Sequence, residues 1–387
     1  MKVCFETFGC RLNKAEALQM EAEYLAKGWE TTKDHKEADL FVVRGCSVTR
    51  RAQEDCETLI AHLRRRYPAK LVRVCGCLPQ ATRAKTQNSA SGDVPVPIRT
   101  ARAYLKVQDG CAGKCTFCIV PKFRGQSESV DFVRVLDQAK RFVDAGYHEI
   151  VVTGCNLALY ASQGKRLHDL LLALADIDTG CRIRLGSVEP EASTLETVRA
   201  MSERQNICRF LHLPIQSGAN RILKAMCRPY QIHDVDRIIS TATALMPNLG
   251  LGCDLMTGFP DESELDFSAT VGLLKRFPFS KVHVFPYSKR PGTLAAGFPN
   301  QITRGVKTSR ARELSEAAVS ARQKFAQSFI GKTVELVVED TKKVAGWTGE
   351  YLQCKIEGSV VPRKKLVRAR VYNVRDDLLL AHLIKEQ

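Results

Sequence analysis

The chain has 387 residues, of which 44% are hydrophobic and 26% are charged, and its formal net charge is +16 at pH 7. This composition is typical of a globular protein of two or three domains. No apolar run reaches the ~18 residues of a membrane span, and the N-terminal residues lack the apolar core of a signal peptide. We therefore expect a cytoplasmic protein without a membrane partner.

The positive charge favours a polyanion as partner, and nucleic acid is the first choice. The alternative is a proteome that is basic in general. The chain also contains 15 cysteines, which we expect to be reduced, so that metal or cluster binding is a better interpretation than disulfides. Six of them belong to two groups that are described below. The other nine are predicted to be packing residues or surface thiols: Cys4, Cys56, Cys75, Cys155, Cys181, Cys208, Cys227, Cys253 and Cys354.

The first group comprises Cys10, Cys46 and Cys77, each of which follows a short apolar run of strand type. Because the carboxyl ends of parallel strands meet at one edge of an open sheet, we expect the three thiols to meet there. The alternative is a set of scattered buried cysteines. The apolar runs cover residues 3–5, 40–43 and 71–74, and helix-type segments follow at 15–26 and 49–66.

Residues 85–97 are polar, small and proline-bearing, which is typical of a linker. From residue 99 to about 329, six strand-like runs alternate with helix-type segments such as 133–145, 167–174 and 265–276. This alternation predicts a parallel sheet with functional groups at the carboxyl ends of its strands. The six strand-like runs are RAYLKVQ, EIVVTG, RIRLGSV, RFLHLPI, GLGCDLMTGF and KVHVFPYS.

The second cysteine group, Cys111, Cys115 and Cys118, has C-x3-C-x2-C spacing and follows the first of these strands. Three thiolates on one loop can hold three irons of a four-iron cluster and leave the fourth iron open to a substrate. Structural zinc takes four protein ligands, and no second pair follows at finger spacing. The alternative is three chance or buried cysteines.

With Phe117 before its last cysteine, this loop resembles the cluster motif of radical S-adenosylmethionine (radical SAM) enzymes. The pattern around it, with Asp109, Pro121 and Arg124-Gly125, resembles the methylthiotransferase branch. The resemblance implies a partial (β/α)6 barrel similar to a TIM barrel. It also implies that the open iron binds SAM, which an electron from the cluster cleaves to a 5′-deoxyadenosyl radical.

The same resemblance implies a second, auxiliary [4Fe-4S] cluster on Cys10, Cys46 and Cys77, whose open iron carries the sulfur to be transferred. Cys75 competes with Cys77 as ligand, and Cys77 is preferred because it follows a glycine and precedes x-x-Gln. Two features depart from the family. The stretch between Cys77 and Cys111 is short, and Arg44-Gly45 replaces the usual Asn-Thr. These indicate either a compact form of the domain or an altered auxiliary site.

Candidate SAM contacts lie mainly at the strand ends. A glycine there lets a ligand approach the backbone, and hydroxyl or carboxylate groups suit the ribose or the amino group of SAM. The glycines have turn formation as their alternative role. The candidates are Phe117, Gly154, Asn156, Ser187, Glu189, Gln216 and Gly258. Two histidines nearby, His212 and His283, are predicted to be packed and hydrogen-bonded rather than catalytic.

The final ~55 residues form short alternating strands with turns, which predicts a small all-β barrel. They resemble the TRAM domain, which binds tRNA in this family. A basic stretch in this unit is expected to follow a phosphate backbone, and the alternative is a solvated basic face. Its members are Arg363, Lys364, Lys365, Arg368 and Arg370.

We therefore predict an α/β enzyme with a parallel α/β domain (1–92), a radical SAM barrel (93–330) and a TRAM barrel (331–387), using two [4Fe-4S] clusters and SAM. The HVFPYSKRPGT segment most resembles the subgroup that methylthiolates carbon 2 of N6-threonylcarbamoyladenosine beside the tRNA anticodon. A flavodoxin or ferredoxin is expected as electron donor, and the sulfur source is open. The alternatives are isopentenyladenosine in tRNA, a ribosomal-protein aspartate, and a non-catalytic, metal-containing RNA-binding protein.

Overall fold

The computed structural model describes residues 1–78, 96 and 100–384. Apart from Val96, the linker predicted over residues 85–97 lies outside the described residues, as do Gln80 and the boundary predicted after residue 92. Three units that each contain a sheet follow one another along the rest of the chain.

The first unit is a four-stranded sheet in the order β2-β1-β3-β4, in which all pairs are parallel. The central strand β3 is buried on both faces, in keeping with its continuous apolar run. Helix α1 begins before the predicted start at residue 15, since Asn13 anchors its first turn by donating to the carbonyls of Phe8 and Gly45. The elements are β1 (Lys2–Thr7), α1 (Arg11–Ala26), β2 (Glu30–Thr31), β3 (Leu40–Gly45), α2 (Arg50–Arg66) and β4 (Leu71–Gly76).

The second unit confirms the predicted six-stranded β/α arrangement. Two parallel sheets, β5-β8-β11 and β12-β13-β14, are joined by isolated parallel bridges at Ile183–Ile207 and Ser187–His212. The strands thus form an open arc in chain order around one large apolar core. The elements are β5 (Ala103–Lys106), β6 (Gln108–Asp109), α3 (Val120–Arg124), β7 (Glu128–Ser129), α4 (Phe132–Asp144), β8 (Glu149–Thr153), β9 (Ala161–Ser162), β10 (Lys165–Arg166), α5 (Leu167–Ala175), β11 (Arg182–Leu185), α6 (Thr194–Glu203), β12 (Phe210–Gln216), α7 (Asn220–Ala225), α8 (Ile232–Leu245), β13 (Gly250–Thr257), α9 (Glu264–Arg276), β14 (Phe279–Pro286) and α10 (Arg304–Gln327).

The third unit is a closed five-stranded barrel, as predicted, in the order β15-β16-β17-β19-β18. Strand β16 was not predicted, because its sequence, AGWT, is short and lacks a clear alternation. The elements are β15 (Thr333–Asp340), β16 (Ala345–Thr348), β17 (Gln353–Glu357), β18 (Leu366–Arg375) and β19 (Leu378–Leu383).

A buried ion cluster joins the closed barrel to the β/α unit. Glu149 on β8 is fully buried and accepts hydrogen bonds from Arg182 and Arg184 on β11. Arg182 also donates to the carbonyl oxygens of Glu335 and Trp347 in the closed barrel, at 2.8 and 2.6 Å. These contacts connect the closed barrel to the buried ion cluster of the β/α unit.

Candidate active site

The Cys111 loop lies between β6 and α3, beyond the carboxyl end of β5, the first strand of the β/α arc. Its ends are held by backbone hydrogen bonds, from Cys111 N to Gly125 O at 3.1 Å and from Cys118 N to Cys115 O at 3.1 Å. All three cysteines are half-exposed. Burial raises the pKa of the Cys118 thiol to about 12, and the thiols of Cys115 and Cys111 contribute to that rise. The three sulfurs therefore share one environment.

Arg228 connects this loop to a candidate SAM contact. Its Nη1 lies 3.1 Å from Sγ of Cys115, and its Nη2 pairs with the Glu189 carboxylate. Burial raises the pKa of Glu189 to about 7, although Arg228 acts in the opposite direction. Sequence reasoning missed Arg228, which lies between α7 and α8.

The sulfurs of Cys111, Cys115 and Cys118 are not gathered as closely as one shared metal ion requires. Within the described residues, only two groups of three Cys, His, Asp or Glu ligand atoms lie within 4.8 Å of one another, and neither contains Cys111, Cys115 or Cys118. Tetrahedral zinc, with Zn–S bonds of about 2.3 Å, would need its sulfurs closer than that. A four-iron cluster binds each thiolate through a different iron and suits a wider spacing.

The structure brings Cys10, Cys46 and Cys77 together at the edge of the N-terminal sheet. Burial raises the pKa of Cys46 to about 11, and the thiols of Cys10 and Cys77 add to the effect. Gly9, at φ +92°, allows this approach, because a Cβ there would lie 2.7 Å from Cβ of Cys46. The competing Cys75 packs in an apolar cluster with Met20, which supports the choice of Cys77.

The two unusual residues before Cys46 have structural roles. Arg44 is buried and pairs with the Glu16 carboxylate of α1. A Cβ on Gly45 would lie 1.9 Å from Cδ1 of Leu78, so the family's threonine would collide with that side chain. Both departures thus fit the compact packing of this sheet and leave the Cys46 thiol beside its partners.

Arg124 links the two cysteine sites. It lies at the end of α3, directly after the Cys111 loop, and its Nε donates to Sγ of Cys77 at 3.0 Å. Its Nη1 donates to Asp109 at 2.8 Å, and both Nη groups reach Glu16. Burial acts to raise the pKa of Asp109, but Arg124 and Lys106 hold it at about 2. One ion network therefore spans the interface between the first two units.

At both glycines proposed as SAM contacts, Gly154 and Gly258, protein atoms occupy the space where a Cβ would lie. A Cβ on Gly154 would lie 2.8 Å from Oε1 of Gln108, and one on Gly258 would lie 2.4 Å from Cγ of Lys307. The reason for a glycine at position 154 is thus the approach of Gln108, which corrects the expectation of space for a ligand. At position 258, φ is +67°, so a turn requires the glycine there as well.

The other SAM candidates fall into two groups. Ser187 is exposed and Glu189 half-buried, so both are accessible to a ligand. Asn156, in contrast, is buried and its side chain accepts a hydrogen bond from Ala158 N at 3.2 Å. Gln216 is buried at φ +70°, and Phe117 packs at the edge of a separate apolar cluster.

A polar cluster, formed by His212, Asp254 and His283, lies on three adjacent strands of the arc. Its ligand atoms lie within 4.8 Å of one another. His212 is buried as predicted, but its Nδ1 has no hydrogen-bond partner within the described residues, and His283 is exposed. Burial acts to raise the pKa of Asp254, but nearby cations hold it low. His212 has the largest lowering effect, and Arg11, which follows Cys10, has a smaller one. The cluster therefore lies near the N-terminal cysteine site.

Four of the five predicted RNA contacts are exposed on the closed barrel. Arg368 and Arg370 alternate along β18 with the buried Ala369 and Val371, as the strand period requires. Lys364 differs, because its ammonium lies 4.1 Å from the ring centroid of Tyr147 on the β/α unit. It packs at the interface between the two barrels. The exposed members are Arg363, Lys365, Arg368 and Arg370.

Comparison with known proteins places these features in context. Residues 105–274 match the Radical SAM superfamily, and residues 2–96 match an uncharacterized protein family, UPF0004. The threonylcarbamoyladenosine tRNA methylthiotransferase MtaB of Aquifex aeolicus is 31% identical over 92% of this chain and 97% of its own length. MtaB of Bacillus subtilis is 30% identical over 95% of this chain and 93% of its own length.

A tRNA-2-methylthio-N(6)-dimethylallyladenosine synthase of Zymomonas mobilis is also 31% identical, over 88% of this chain and 86% of its own length. Among solved structures, the radical S-adenosylmethionine methyltransferase TsrM of Kitasatospora setae gives a TM-score of 0.55 at 12% identity, with 76% of each chain covered. That likeness supports the fold alone. Of the helices that the structure describes, none has the length and apolar character to cross a membrane.

Proposed function

The chain belongs to the radical SAM methylthiotransferase family of tRNA-modifying enzymes, and on that premise we propose that it adds a methylthio group to carbon 2 of N6-threonylcarbamoyladenosine in tRNA. The observation that carries this proposal is the pair of three-cysteine sites, which come from separate units. Arg124, at the end of the helix that follows the Cys111 loop, contacts Cys77 of the other site. A methylthiolation needs both a radical source and a sulfur carrier, so two neighbouring cluster sites suit it.

Cys111, Cys115 and Cys118 would hold the [4Fe-4S] cluster that binds SAM and supplies the electron for its cleavage. Glu189 is placed to bind the SAM amino group, and Arg228 orients that carboxylate against the loop. Ser187 lies on the same strand end and would contact the ribose. Among the remaining candidates, Gln216 and Phe117 are proposed as contacts, while Gly154, Asn156 and Gly258 act by shaping the loops.

Cys10, Cys46 and Cys77 would hold the second cluster. Its support is the convergence of three thiols from three strand ends, with the Arg124 guanidinium beside Cys77. A cation there favours thiolates, which are the ligands that iron requires. The short N-terminal unit keeps this convergence through Gly9 and Gly45.

The target base is placed against the polar cluster, His212, Asp254 and His283. Arg11, beside the N-terminal cysteines, contributes to the low pKa of Asp254. The pKa of Glu189 depends first on burial, then on Arg228 and Glu191, and to a smaller extent on Asp254. The cluster is thus within electrostatic range of residues beside both proposed sites. Of the three side chains, His283 is the exposed one and is available to an adenine edge.

The exposed basic side chains of the closed barrel are proposed to bind the tRNA backbone. The boundaries between the three units are proposed to lie at residues 92/93 and 330/331. A flavodoxin or ferredoxin in the cytoplasm is proposed as the electron donor. The second candidate target is isopentenyladenosine in tRNA, because the Zymomonas synthase is as similar to this chain as the MtaB proteins are.

The test is nucleoside analysis of tRNA from a bacterial strain without its own tRNA methylthiotransferases. The full chain is expressed there and compared with a Cys111→Ala/Cys115→Ala/Cys118→Ala variant. We expect 2-methylthio-N6-threonylcarbamoyladenosine with the natural chain and none with the variant. The methylthiolated isopentenyl nucleoside would favour the second candidate, and unmodified tRNA with well-folded, cluster-loaded protein would overturn both.

A further inference from the structure

A fourth thiol lies next to the N-terminal cysteine site, although the sequence predicts it to be a packing residue. Sγ of Cys155, which follows β8, lies 3.6 Å from Oδ1 of Asp109. The same oxygen accepts a hydrogen bond from Arg124 at 2.8 Å, and Arg124 donates through Nε to Sγ of Cys77 at 3.0 Å. Cys155 and Cys77 therefore contact the same carboxylate–guanidinium pair.

The thiols of the N-terminal site also act directly on Cys155. Burial raises the pKa of Cys155 above its usual range, Arg124 opposes that rise, and Asp109, Cys10 and Cys77 add to it. Coulombic effects fall off with distance, so Cys155 is within electrostatic range of these sulfurs. Cys155 thus belongs to the same group of thiols, although it comes from the β/α unit.

The backbone on both sides of Cys155 is fixed by Gln108. The N–H of Asn156 donates to Oε1 of Gln108 at 2.8 Å, and Gly154 lets the same oxygen approach closely. Gln108 in turn donates to the carbonyls of Asp109 and Gly110 at 2.8 Å. The turn that carries Cys155 is therefore held against the start of the Cys111 loop, at the interface between the two sites.

The surroundings of Cys155 differ from those of a packing cysteine. Cys181 and Cys253 are buried in the apolar core of the β/α unit, and Cys354 is buried in that of the closed barrel. Cys155 is half-buried and contacts a carboxylate. A cysteine that only fills space does not need such polar neighbours.

We propose that Cys155 is a fourth ligand for the auxiliary cluster, available to the iron that Cys10, Cys46 and Cys77 leave without a protein ligand. This inference rests on the second cluster of the proposed function. Ligation takes place with loss of the thiol proton to solvent, as for any cysteine that binds a metal. The resting auxiliary cluster is then closed to external ligands, and the transferred sulfur has to take the place of Cys155.

The test uses the full chain with Cys111→Ala/Cys115→Ala/Cys118→Ala, so that only the auxiliary site can hold iron. This protein is reconstituted without oxygen and compared with versions that also carry Cys155→Ala, Cys155→Ser or, as control, Cys354→Ala. Iron and sulfide are determined first. The reduced cluster is then titrated with ¹³C-labelled cyanide, and binding is followed by the electron paramagnetic resonance signal and its ¹³C hyperfine coupling.

We expect about four irons in every version. With Cys155 present, cyanide should bind at least tenfold more weakly than in the Cys155→Ala and Cys155→Ser proteins, while the Cys354→Ala control should behave like its parent. Equal cyanide affinity in all versions that retain iron would overturn the role of Cys155 and leave the second cluster intact. Absence of iron from the parent triple variant would overturn both the second cluster and this inference.

Discussion

At the scale of single residues, the site depends on arginines that bridge groups distant in sequence. Arg228 contacts Cys115 and Glu189, and Arg124 contacts Cys77 and Asp109. Cysteine spacing identifies a cluster loop from the sequence because the ligands are local. It says nothing about which distant side chains an arginine will contact, since a guanidinium at the end of a long side chain carries no periodic signal.

Replacing Arg228 with alanine should lower the rate of SAM cleavage to 5′-deoxyadenosine by about 10- to 100-fold, because a hydrogen bond to a charged group contributes about 1.5–3 kcal/mol. Iron content should stay the same, since the three thiols remain. The rate of SAM cleavage by Arg228→Lys should lie between those of the natural chain and Arg228→Ala, because lysine keeps the charge but lacks the forked donors of a guanidinium. The exposed Arg204→Ala serves as control. Loss of iron in Arg228→Ala would instead show a role in folding the loop.

At the scale of elements, β8 and β11 form both the core of the β/α unit and its contact with the closed barrel. Glu149 is the single carboxylate to which the described contacts of Arg102, Arg182 and Arg184 converge. The alternation of strand-like runs with helix-type segments predicted the sheet correctly. The ion cluster was not predicted, because a charged residue in a strand normally indicates an exposed face.

Glu149→Gln should lower the free energy of unfolding by about 3–5 kcal/mol, since it leaves the buried Arg182 and Arg184 without their paired carboxylate, whereas Arg102 keeps Glu339. Burial would raise the pKa of Glu149, but these arginines hold it well below its usual value of 4.5. The stabilisation is therefore complete above pH 4.5 and lost as the pH falls towards the folded pKa. Denaturant unfolding at several pH values would show it, with the exposed Asp176→Asn as control. If the difference in unfolding free energy between the natural chain and Glu149→Gln stayed unchanged down to pH 3, this assignment would be contradicted.

Gly250, the first residue of β13, allows the two barrels to approach each other. A Cβ there would lie 2.2 Å from the carbonyl oxygen of Glu350. Gly250→Ala should therefore destabilise the interface by about 1–3 kcal/mol and increase proteolysis between residues 327 and 333. Gly272→Ala is the matched control, because outside its own stretch of helix no described residue has an atom within 4 Å of the added Cβ, and alanine favours the helix. Equal thermal stability of the two variants would rule out the close approach.

At the scale of the whole molecule, part of the formal net charge of +16 comes from exposed basic residues on β18 and the segment before it. The sequence grouped Lys364 with this face, but its left-handed backbone, at φ +72°, turns it towards Tyr147. Interface packing therefore removes one charge from the surface that the sequence predicts.

Arg368→Ala/Arg370→Ala should weaken tRNA binding and reduce the slope of log affinity against log salt by about one for each phosphate that the variant no longer neutralises. Lys342→Ala/Lys343→Ala, on the exposed turn before β16, removes the same charge and is the control. Titration of labelled tRNA at several salt concentrations gives both slopes. The same weakening in both variants would show a general effect of charge rather than a binding face.

The sequence by itself determined the cluster loop, the β/α order and the closed C-terminal barrel, because each follows from local spacing or from the period of a strand or helix. The sequence also predicted that Cys10, Cys46 and Cys77 meet, from the strand type of the runs before them. Only the tertiary structure decided that Cys155 lies beside the Asp109–Arg124 pair and that Cys75 packs in an apolar cluster. It also decided which glycines face protein and which arginines face sulfur. These outcomes depend on how strand ends from two units approach each other, and that approach is set by close packing between residues far apart along the chain.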